Sequence, residues 1–185
     1  METNLIHPRL AVLVIMIAAA LAASNCVILK RPYRSATPFE TWIGENKTFR
    51  VRVSAYEEKE APVTGAYYLF ESTSANSTNW HEIMTLRHDD QPAIPKNQIR
   101  FLNDRIGYVF MEWMYAVTTD GGNTWSVWNA IKDVPDWQWS KYGVISDVRI
   151  EPDGTGKMVL KSLSDPARKV PDFRTNDFGR HWRVE

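Results

Sequence analysis

One eight-residue pattern occurs twice in the second half of this chain of 185 residues, and it limits the folds open to the chain. Residues 118–125 and residues 175–182 both read Thr-x-Asp-x-Gly-x-x-Trp. A third stretch, residues 73–80, keeps the Thr and the Trp but has lost the Asp and the Gly. The three tryptophans are 45 and 57 residues apart, close to the length that four short strands with their turns require. A pattern recurring at this spacing predicts a fold built from similar supersecondary units.

The sequence after residue 38 contains many short runs of β-branched and aromatic residues, and no long stretch has the 3.6-residue spacing of a helix. Gly, Pro, Asn and Asp separate the runs, as they do in turns. We therefore predict an all-β fold. The predicted strands are residues 48–56, 66–71, 80–86, 98–102, 107–113, 115–118, 126–131, 143–150, 157–163, 172–175 and 182–185. The sequence Pro-Asp-Gly-Thr-Gly at residues 152–156 predicts a hairpin turn, because Gly supplies the positive φ that such turns need.

The repeated pattern resembles the Asp-box, or BNR, repeat of sialidase-type β-propellers, which reads Ser/Thr-x-Asp-x-Gly-x-x-aromatic. The stretch from Ile99 to Phe110, just before the first copy, also resembles a blade of the propellers that act as photosystem II assembly factors. The resemblance covers roughly residues 64–185 and is strongest over residues 99–128. It implies antiparallel sheets in propeller-like four-stranded units with Asp-box hairpins. Three such units do not easily close a ring, so an incomplete propeller and a sandwich-like stack both stay open.

The resemblance also implies a structural role for the boxes, which in the family lie on a turn away from the active site. We expect the Thr and Asp side chains to form hydrogen bonds within the hairpin, the Gly to take a backbone angle that a side chain would forbid, and the Trp to cap the core. The residues with this expected role are Thr118, Asp120, Gly122, Trp125, Thr175, Asp177, Gly179 and Trp182.

The N-terminus predicts an export signal or an anchor. Residues 10–23 are all apolar, follow Arg9 and precede small residues, which is typical of a secretory signal peptide. If the apolar run continues to residue 29, its length of about 20 residues is enough for an N-terminal hydrophobic helix that crosses a bilayer uncleaved. We assign residues 1–31 to this signal peptide or membrane anchor, 32–38 to a linker and 39–185 to the Asp-box β domain. The β domain is then exported, and either periplasmic or membrane-anchored facing the periplasm; lipid attachment at Cys26 stays open.

Composition argues against several classes of function. Lys plus Arg is 22 and Asp plus Glu is 22, whereas nucleic-acid-binding proteins usually carry a basic surplus. With one cysteine the chain has no intramolecular disulfide and no Cys-based zinc site. The sequence also lacks the Arg-Ile-Pro motif of sialidases, and its 185 residues are fewer than the roughly 240 that six propeller blades of about 40 residues require. We predict a protein that is not an enzyme, with no catalytic residues, no cofactor and no metal site.

A binding surface is the better candidate for function. The segment from residue 134 to residue 142 joins the second and third units and carries three large aromatic rings, which are favoured as binding anchors. The predicted partner-binding residues are Asp136, Trp137, Trp139 and Tyr142. We expect Trp137 to be the most exposed ring, and for Trp139 and Tyr142 a core position is equally open. Residues 111–115 are a second candidate binding surface, for which a core position is the favoured interpretation. The His-Asp-Asp stretch at residues 88–90 could contact a metal but is expected to face water.

Three functions stay open for such a surface. The chain resembles bacterial immunity proteins that sit in the periplasm and neutralise a secreted phospholipase toxin, a likeness carried by its overall plan and by residues 148–182. This implies a non-catalytic exported module that binds a protein, namely a lipase-like toxin or effector. The alternatives are a membrane-tethered assembly factor or chaperone, and a carbohydrate-binding module in which Trp137 and Trp139 form a stacking platform. An acid-rich loop facing a basic partner would favour the first, and stacked exposed rings would favour the last.

Overall fold

The structure is a computed structural model that describes residues 37–58 and 65–185. The predicted signal peptide or anchor at residues 1–31 lies outside the described residues, and so does the predicted linker apart from its last two residues. The described residues from Thr37 to Glu185 belong to one compact unit. Among them, no helix is long and apolar enough to cross a bilayer.

In this part of the chain, twelve strands form three antiparallel sheets of four, and each sheet uses consecutive strands in chain order. The first sheet contains β1 (Glu40–Glu45), β2 (Phe49–Glu58), β3 (Gly65–Ser74) and β4 (His81–His88). The second contains β5 (Ile99–Phe101), β6 (Gly107–Met111), β7 (Met114–Thr118) and β8 (Ser126–Asn129). The third contains β9 (Val144–Ile150), β10 (Gly156–Lys161), β11 (Phe173–Thr175) and β12 (Arg183–Val184). The predicted all-β class is confirmed, and the sheets are arranged as in a propeller without forming a closed barrel.

Two single-turn helices, α1 (Ala130–Asp133) and α2 (Trp139–Tyr142), lie in the connection between the second and third sheets. The Asn129 side chain caps α1 by accepting a hydrogen bond from the backbone N–H of Ile131 at 3.0 Å. The second helix ends at Gly143, whose φ of +70° suits a residue without a side chain. This connection is therefore an ordered segment that leads into β9.

The second sheet packs against both of its neighbours. Every residue of β6 and β7 is buried, because successive side chains point to opposite faces and both faces are covered. The core shared with the first sheet takes Val109, Met111, Met114 and Ala116, and the core shared with the third sheet takes Tyr108, Phe110, Tyr115 and Val117. The fold is thus a layered series of three sheets with one apolar core on each side of the central sheet.

The outer face of the third sheet is charged. Its four strands contribute one cross-strand row, which consists of Arg149, Lys157, Arg174 and Arg183. Two acids of the same sheet region neutralise part of this charge: Asp172 bonds to Lys157, and Glu185 Oε2 lies 2.9 Å from Arg174 Nε. This face of the third sheet is therefore polar, as is usual for a surface in contact with water.

Candidate functional site

The first turn motif, residues 118–125, joins β7 to β8 and is held together by two side chains. Thr118 Oγ1 donates a hydrogen bond to Asp120 Oδ1 at 2.8 Å and accepts one from the backbone N–H of Gly122 at 3.0 Å. The Asp120 carboxylate accepts from the backbone N–H and the hydroxyl of Thr124, at 3.0 and 2.6 Å. These bonds satisfy backbone donors that the sheet cannot pair in the turn.

The second turn motif, residues 175–182, joins β11 to β12 and repeats the same bonds. Thr175 Oγ1 donates to Asp177 Oδ1 at 2.7 Å and accepts from the backbone N–H of Gly179 at 2.9 Å. The Asp177 carboxylate accepts from the backbone N–H of His181 at 3.1 Å, and its Oδ2 lies 2.6 Å from His181 Nδ1. Partial burial opposes ionisation, but the bonds from His181 and Thr175 outweigh it and lower the pKa of Asp177 to about 2.

Each motif contacts the preceding sheet through the Gly of its repeated pattern. Gly122 and Gly179 both have φ of +85°; Gly122 lies against Phe49 of the first sheet and Gly179 against Tyr115 of the second. A Cβ added to Gly179 would lie 2.6 Å from Tyr115 Cε1. The Tyr115 hydroxyl also donates to the carbonyl of Phe178 at 2.7 Å. The motifs therefore join neighbouring sheets as well as closing hairpins.

The two motif tryptophans complete these inter-sheet contacts. Trp182 is buried and meets the ring of Tyr115 edge to face, with centroids 5.4 Å apart. Trp125 is half-buried, packs edge to face on Phe49 at 6.2 Å, and donates from its Nε1 to Ser72 Oγ at 3.0 Å. Both rings are thus part of the structural framework.

The decayed third copy, residues 73–80, occupies the equivalent turn of the first sheet, between β3 and β4. Its Trp80 lies beside two arginines, with the guanidinium carbon of Arg52 at 4.3 Å and that of Arg50 at 5.4 Å from the ring centroid. The three copies fall at the same place in the three sheets, so the sequence repeat corresponds to a structural repeat.

We expect Asp120→Ala and Asp177→Ala each to lower the free energy of unfolding by about 1–3 kcal/mol, because each change removes several hydrogen bonds from a turn. Urea denaturation of the full chain measures the effect. Asn176→Ala, at a variable and exposed position of the second motif, is the matched control and should stay within about 0.5 kcal/mol of wild type. Wild-type stability of both Asp variants would contradict the structural role.

The same Asp177 variant has an expected pH dependence. A carboxylate with a lowered pKa stabilises the folded state above its unfolded-state pKa and loses that effect as the pH falls through its folded-state pKa. Because the pKa of Asp177 is about 2, the stability difference between wild type and Asp177→Ala should be full at pH 7 and should shrink between about pH 4 and pH 2. A difference that stays constant over this interval would contradict the assigned hydrogen bonds.

The segment predicted to bind a partner lies at the other end of the second sheet. Met114 at the start of β7 pairs with Asn129 at the end of β8, whereas the first turn motif follows the end of β7. Residues 134–142 follow directly after Asn129 and α1. The turn motifs and this segment are therefore separated by the length of the strands.

The structure places the four predicted partner-binding residues differently from one another. Trp139 is the most exposed ring, at 44%, and Asp136 is exposed with φ of +54°. Trp137 is half-buried, because its ring stacks on Tyr142 with centroids 4.7 Å apart and planes 10° from parallel. Tyr142 is buried and packs beside Phe173 in the core. The ring presented to solvent is thus that of Trp139, where the sequence favoured Trp137, and Tyr142 is a core residue.

Trp139 forms one wall of a cleft of about 270 Å³, which we call the aromatic cleft. Its lining residues are Arg87, His88, Asp89, Asp90, Glu112, Trp113, Trp139 and Leu163. The ring of Trp113 meets Trp139 edge to face at 4.9 Å and stacks on His88 at 5.9 Å. Leu163 is 63% exposed. Strand ends and connections at one end of the sheets therefore present aromatic and aliphatic surface to solvent at one place.

The Glu112 carboxylate is the half-buried acid of this cleft. Its side chain is 17% exposed, and burial raises its pKa while the charges of His88 and Lys161 oppose the rise. Glu112 Oε2 lies 3.9 Å from His88 Nε2, beyond hydrogen-bond distance. His88 Nδ1 accepts the backbone N–H of Asp90 at 3.0 Å, so a neutral imidazole carries its proton on Nε2, on the side of Glu112.

The backbone at Glu112 is strained. Glu112 and Trp113 form the two-residue turn between β6 and β7, and φ at Glu112 is +55°. Hairpins with a positive φ at this position normally use Gly there, because a side chain crowds the backbone. Strain of this kind is common at functional sites.

No family model, curated protein or solved structure matches this chain. The assignment of the candidate site therefore depends on the geometry of the described residues.

Three residues of the cleft were predicted to lie in strands, although two of them belong to the second candidate binding surface at residues 111–115. Glu112 and Trp113 were assigned to a predicted strand, since their turn has no Gly, Asn or Pro to signal it. Leu163 was likewise assigned to a strand end, but it lies beyond β10. The stretch at residues 88–90 lines the cleft, and Asp89 and Asp90 are exposed to water there. Among the described residues, no group of three His, Cys, Asp or Glu side chains could hold a metal ion.

Proposed function

We propose that this chain is an exported, non-catalytic module that binds another protein through the aromatic cleft. The observation that supports this most is the exposed ring of Trp139 beside the exposed Leu163, over a preformed concave surface. Tryptophan is the residue most enriched at energetic hot spots of protein interfaces, which lie in pockets that exclude water on binding. The rim is polar, since Asp89 and Asp90 are exposed, and such a rim is typical of protein interfaces.

The arrangement of the rings favours a protein over a carbohydrate. A stacking platform for sugars would need exposed, roughly coplanar faces, but Trp137 and Trp139 are 85° apart and Trp137 stacks on Tyr142. The acid-rich stretch at residues 88–90 on the rim is the feature expected for a surface that meets a basic protein.

The lining of the cleft is suited to recognition of a side chain. Among the described residues that line it, no Ser, Thr or Cys lies beside His88 to act as a nucleophile. The Glu112 carboxylate lies 3.9 Å from His88 Nε2, and no hydroxyl group of the described residues donates a hydrogen bond to it. Aromatic rings and carboxylates around a cleft of this size are sufficient for recognition of a side chain.

The more specific form of the proposal is a periplasmic immunity protein that binds and neutralises a secreted, lipase-like toxin. Its support is the resemblance over residues 148–182 and the apolar run at residues 10–23, which predicts export. A membrane-tethered assembly factor would use the same cleft, and the identity of the bound protein distinguishes the two.

The test is affinity capture with the full chain, carrying a C-terminal tag, from periplasmic and membrane extract of the source cells. Wild type is compared with Trp139→Ala and with Trp42→Ala, a matched control because Trp42 is 36% exposed on β1, at the opposite edge of the first sheet from β4. We expect one protein in stoichiometric amount with wild type and with Trp42→Ala, and none with Trp139→Ala.

The identity of the captured protein then decides the specific function. A secreted toxin whose lethality is relieved by co-production of this chain supports the immunity role, and a membrane-complex subunit supports the assembly role. If no protein is retained, while a glycan array shows saturable binding that Trp139→Ala abolishes, the proposed function is wrong.

A further inference from the structure

The aromatic cleft contains a carboxylate without a hydrogen-bond partner. Glu112 is mostly buried, and within the described part of the chain its carboxylate accepts no hydrogen bond; its nearest basic group is His88, at 3.9 Å. Half-buried charges are normally paired, since desolvation is costly and an unpaired acid gains nothing in return. Glu112 also lies at the tip of a strained turn, so this arrangement costs conformational free energy that the rest of the fold must offset.

Two indole rings line the same cleft as this carboxylate. Trp113 follows Glu112 in the same turn, and Trp139 meets Trp113 edge to face at 4.9 Å. Indole faces attract cations more strongly than other aromatic rings do, and the attraction grows when water is excluded. A cleft lined by a carboxylate and two indoles is therefore complementary to a positively charged group that also has an apolar stem.

The charges of the rim agree with this complementarity. Asp89 and Asp90 are exposed on the cleft, and Glu112 adds a third acid. The basic groups nearby are His88, 3.9 Å from Glu112, Arg87, whose Nε lies 2.6 Å from Glu58 Oε2, and Lys161, whose charge acts on Glu112. The acids outnumber the cations that remain available to pair with them inside the cleft.

We propose that the aromatic cleft receives an arginine side chain of the partner protein, with Glu112 as the counter-ion and the rings of Trp113 and Trp139 as the walls. This inference rests on the proposed function for the identity of the ligand as part of a protein. A guanidinium fits better than an ammonium, because it is planar, stacks on aromatic faces and binds a carboxylate through two parallel N–H groups. The cleft volume of about 270 Å³ is below that of sites for drug-sized ligands, and suits a single long side chain.

The test uses the purified full chain and N-acetyl-arginine amide as the probe, with N-acetyl-citrulline amide as its neutral isostere. Intrinsic tryptophan fluorescence at constant ionic strength reports binding. We expect saturable binding of the arginine probe and at least ten-fold weaker binding of the citrulline probe. Glu112→Gln and Trp139→Ala should each weaken binding of the arginine probe at least ten-fold.

The control variant is Asp153→Asn, which removes an exposed acid in the turn between β9 and β10 and should bind like wild type. If Glu112→Gln proves to be less stable than wild type, the double variant Asp89→Asn with Asp90→Asn replaces it, and should weaken binding about three-fold. Equal binding of the two probes, or unchanged binding by Glu112→Gln, would overturn the inference.

The failure of this inference is distinguishable from the failure of the proposed function. If Glu112→Gln still captures the protein that Trp139→Ala loses, the cleft binds a protein but not through an arginine. If the arginine probe binds as expected and no protein is captured, the cation site is correct and the protein-binding function is wrong.

Discussion

Gly179→Ala is expected to lower the free energy of unfolding by about 3 kcal/mol or more. The backbone at Gly179 has φ of +85°, which costs an alanine roughly 1–2 kcal/mol. The new Cβ would also lie 2.6 Å from Tyr115 Cε1, and overpacking of this kind costs typically about 1–3 kcal/mol. Tyr115 has little freedom to move, because its side chain is fully buried and its hydroxyl is bonded to the carbonyl of Phe178 at 2.7 Å.

Gly121→Ala is the matched control for this prediction. Gly121 has a similar φ of +77°, but a Cβ there would meet only the carbonyl oxygen of Asp104, at 3.7 Å. Its expected loss is therefore the backbone cost alone, about 1–2 kcal/mol. Urea denaturation of both variants measures the difference. Equal losses would mean that the second turn motif does not pack against the second sheet as described.

Trp139→Ala is expected to weaken partner binding by a factor of about 30 or more, while the melting temperature stays close to that of wild type. An exposed indole contributes little to folding, but a central interface tryptophan typically contributes about 2 kcal/mol or more to binding. Trp137→Ala should behave in the opposite way. Its ring stacks on the buried Tyr142, so its loss should lower the stability by about 2–4 kcal/mol.

The two variants together separate binding from folding. Affinity is measured with the captured partner by calorimetry, and stability by thermal unfolding of each full-length variant. A large fall in melting temperature for Trp139→Ala would place its ring in the core. Loss of binding by a fully stable Trp137→Ala would move the contact surface away from the aromatic cleft.

Eleven of the twelve strands were predictable from the sequence, because turn residues separate their short runs of β-branched and aromatic residues. Each predicted strand has a counterpart, and the turn at residues 152–156 forms as expected, with φ of +89° at Gly154. The strand β1 was missed. Its residues are mostly exposed at the edge of the first sheet, and the sequence Glu-Thr-Trp-Ile-Gly-Glu shows no clean alternation.

The candidate site was only partly predictable, because exposure depends on tertiary packing. The sequence indicated that the aromatic segment at residues 134–142 was important, but not which ring would stack on Tyr142. The turn at Glu112 and Trp113 had no sequence signal, since a strained non-glycine turn is defined by the surrounding fold. The contact between this turn and the stretch at residues 88–90 depends on how the second sheet packs against the first.

The two ends of the second sheet have different roles in this account. At one end the turn motifs fix neighbouring sheets to one another, through Gly122 on Phe49 and Gly179 on Tyr115. At the other end, irregular connections from all three sheets meet at the aromatic cleft. A rigid β framework that presents a surface on its connections is a common design for recognition proteins.

The central claim is that a protein partner contacts the aromatic cleft, and site-specific photo-crosslinking in the source cells tests it most directly. A photoreactive phenylalanine analogue replaces Leu163, which is 63% exposed on the cleft rim, or Val127, which is 43% exposed on β8. Neither change removes a tryptophan of the cleft. We expect irradiation to give one crosslinked protein from position 163 and none from position 127. No crosslink at position 163, or the same product from both positions, would contradict the account.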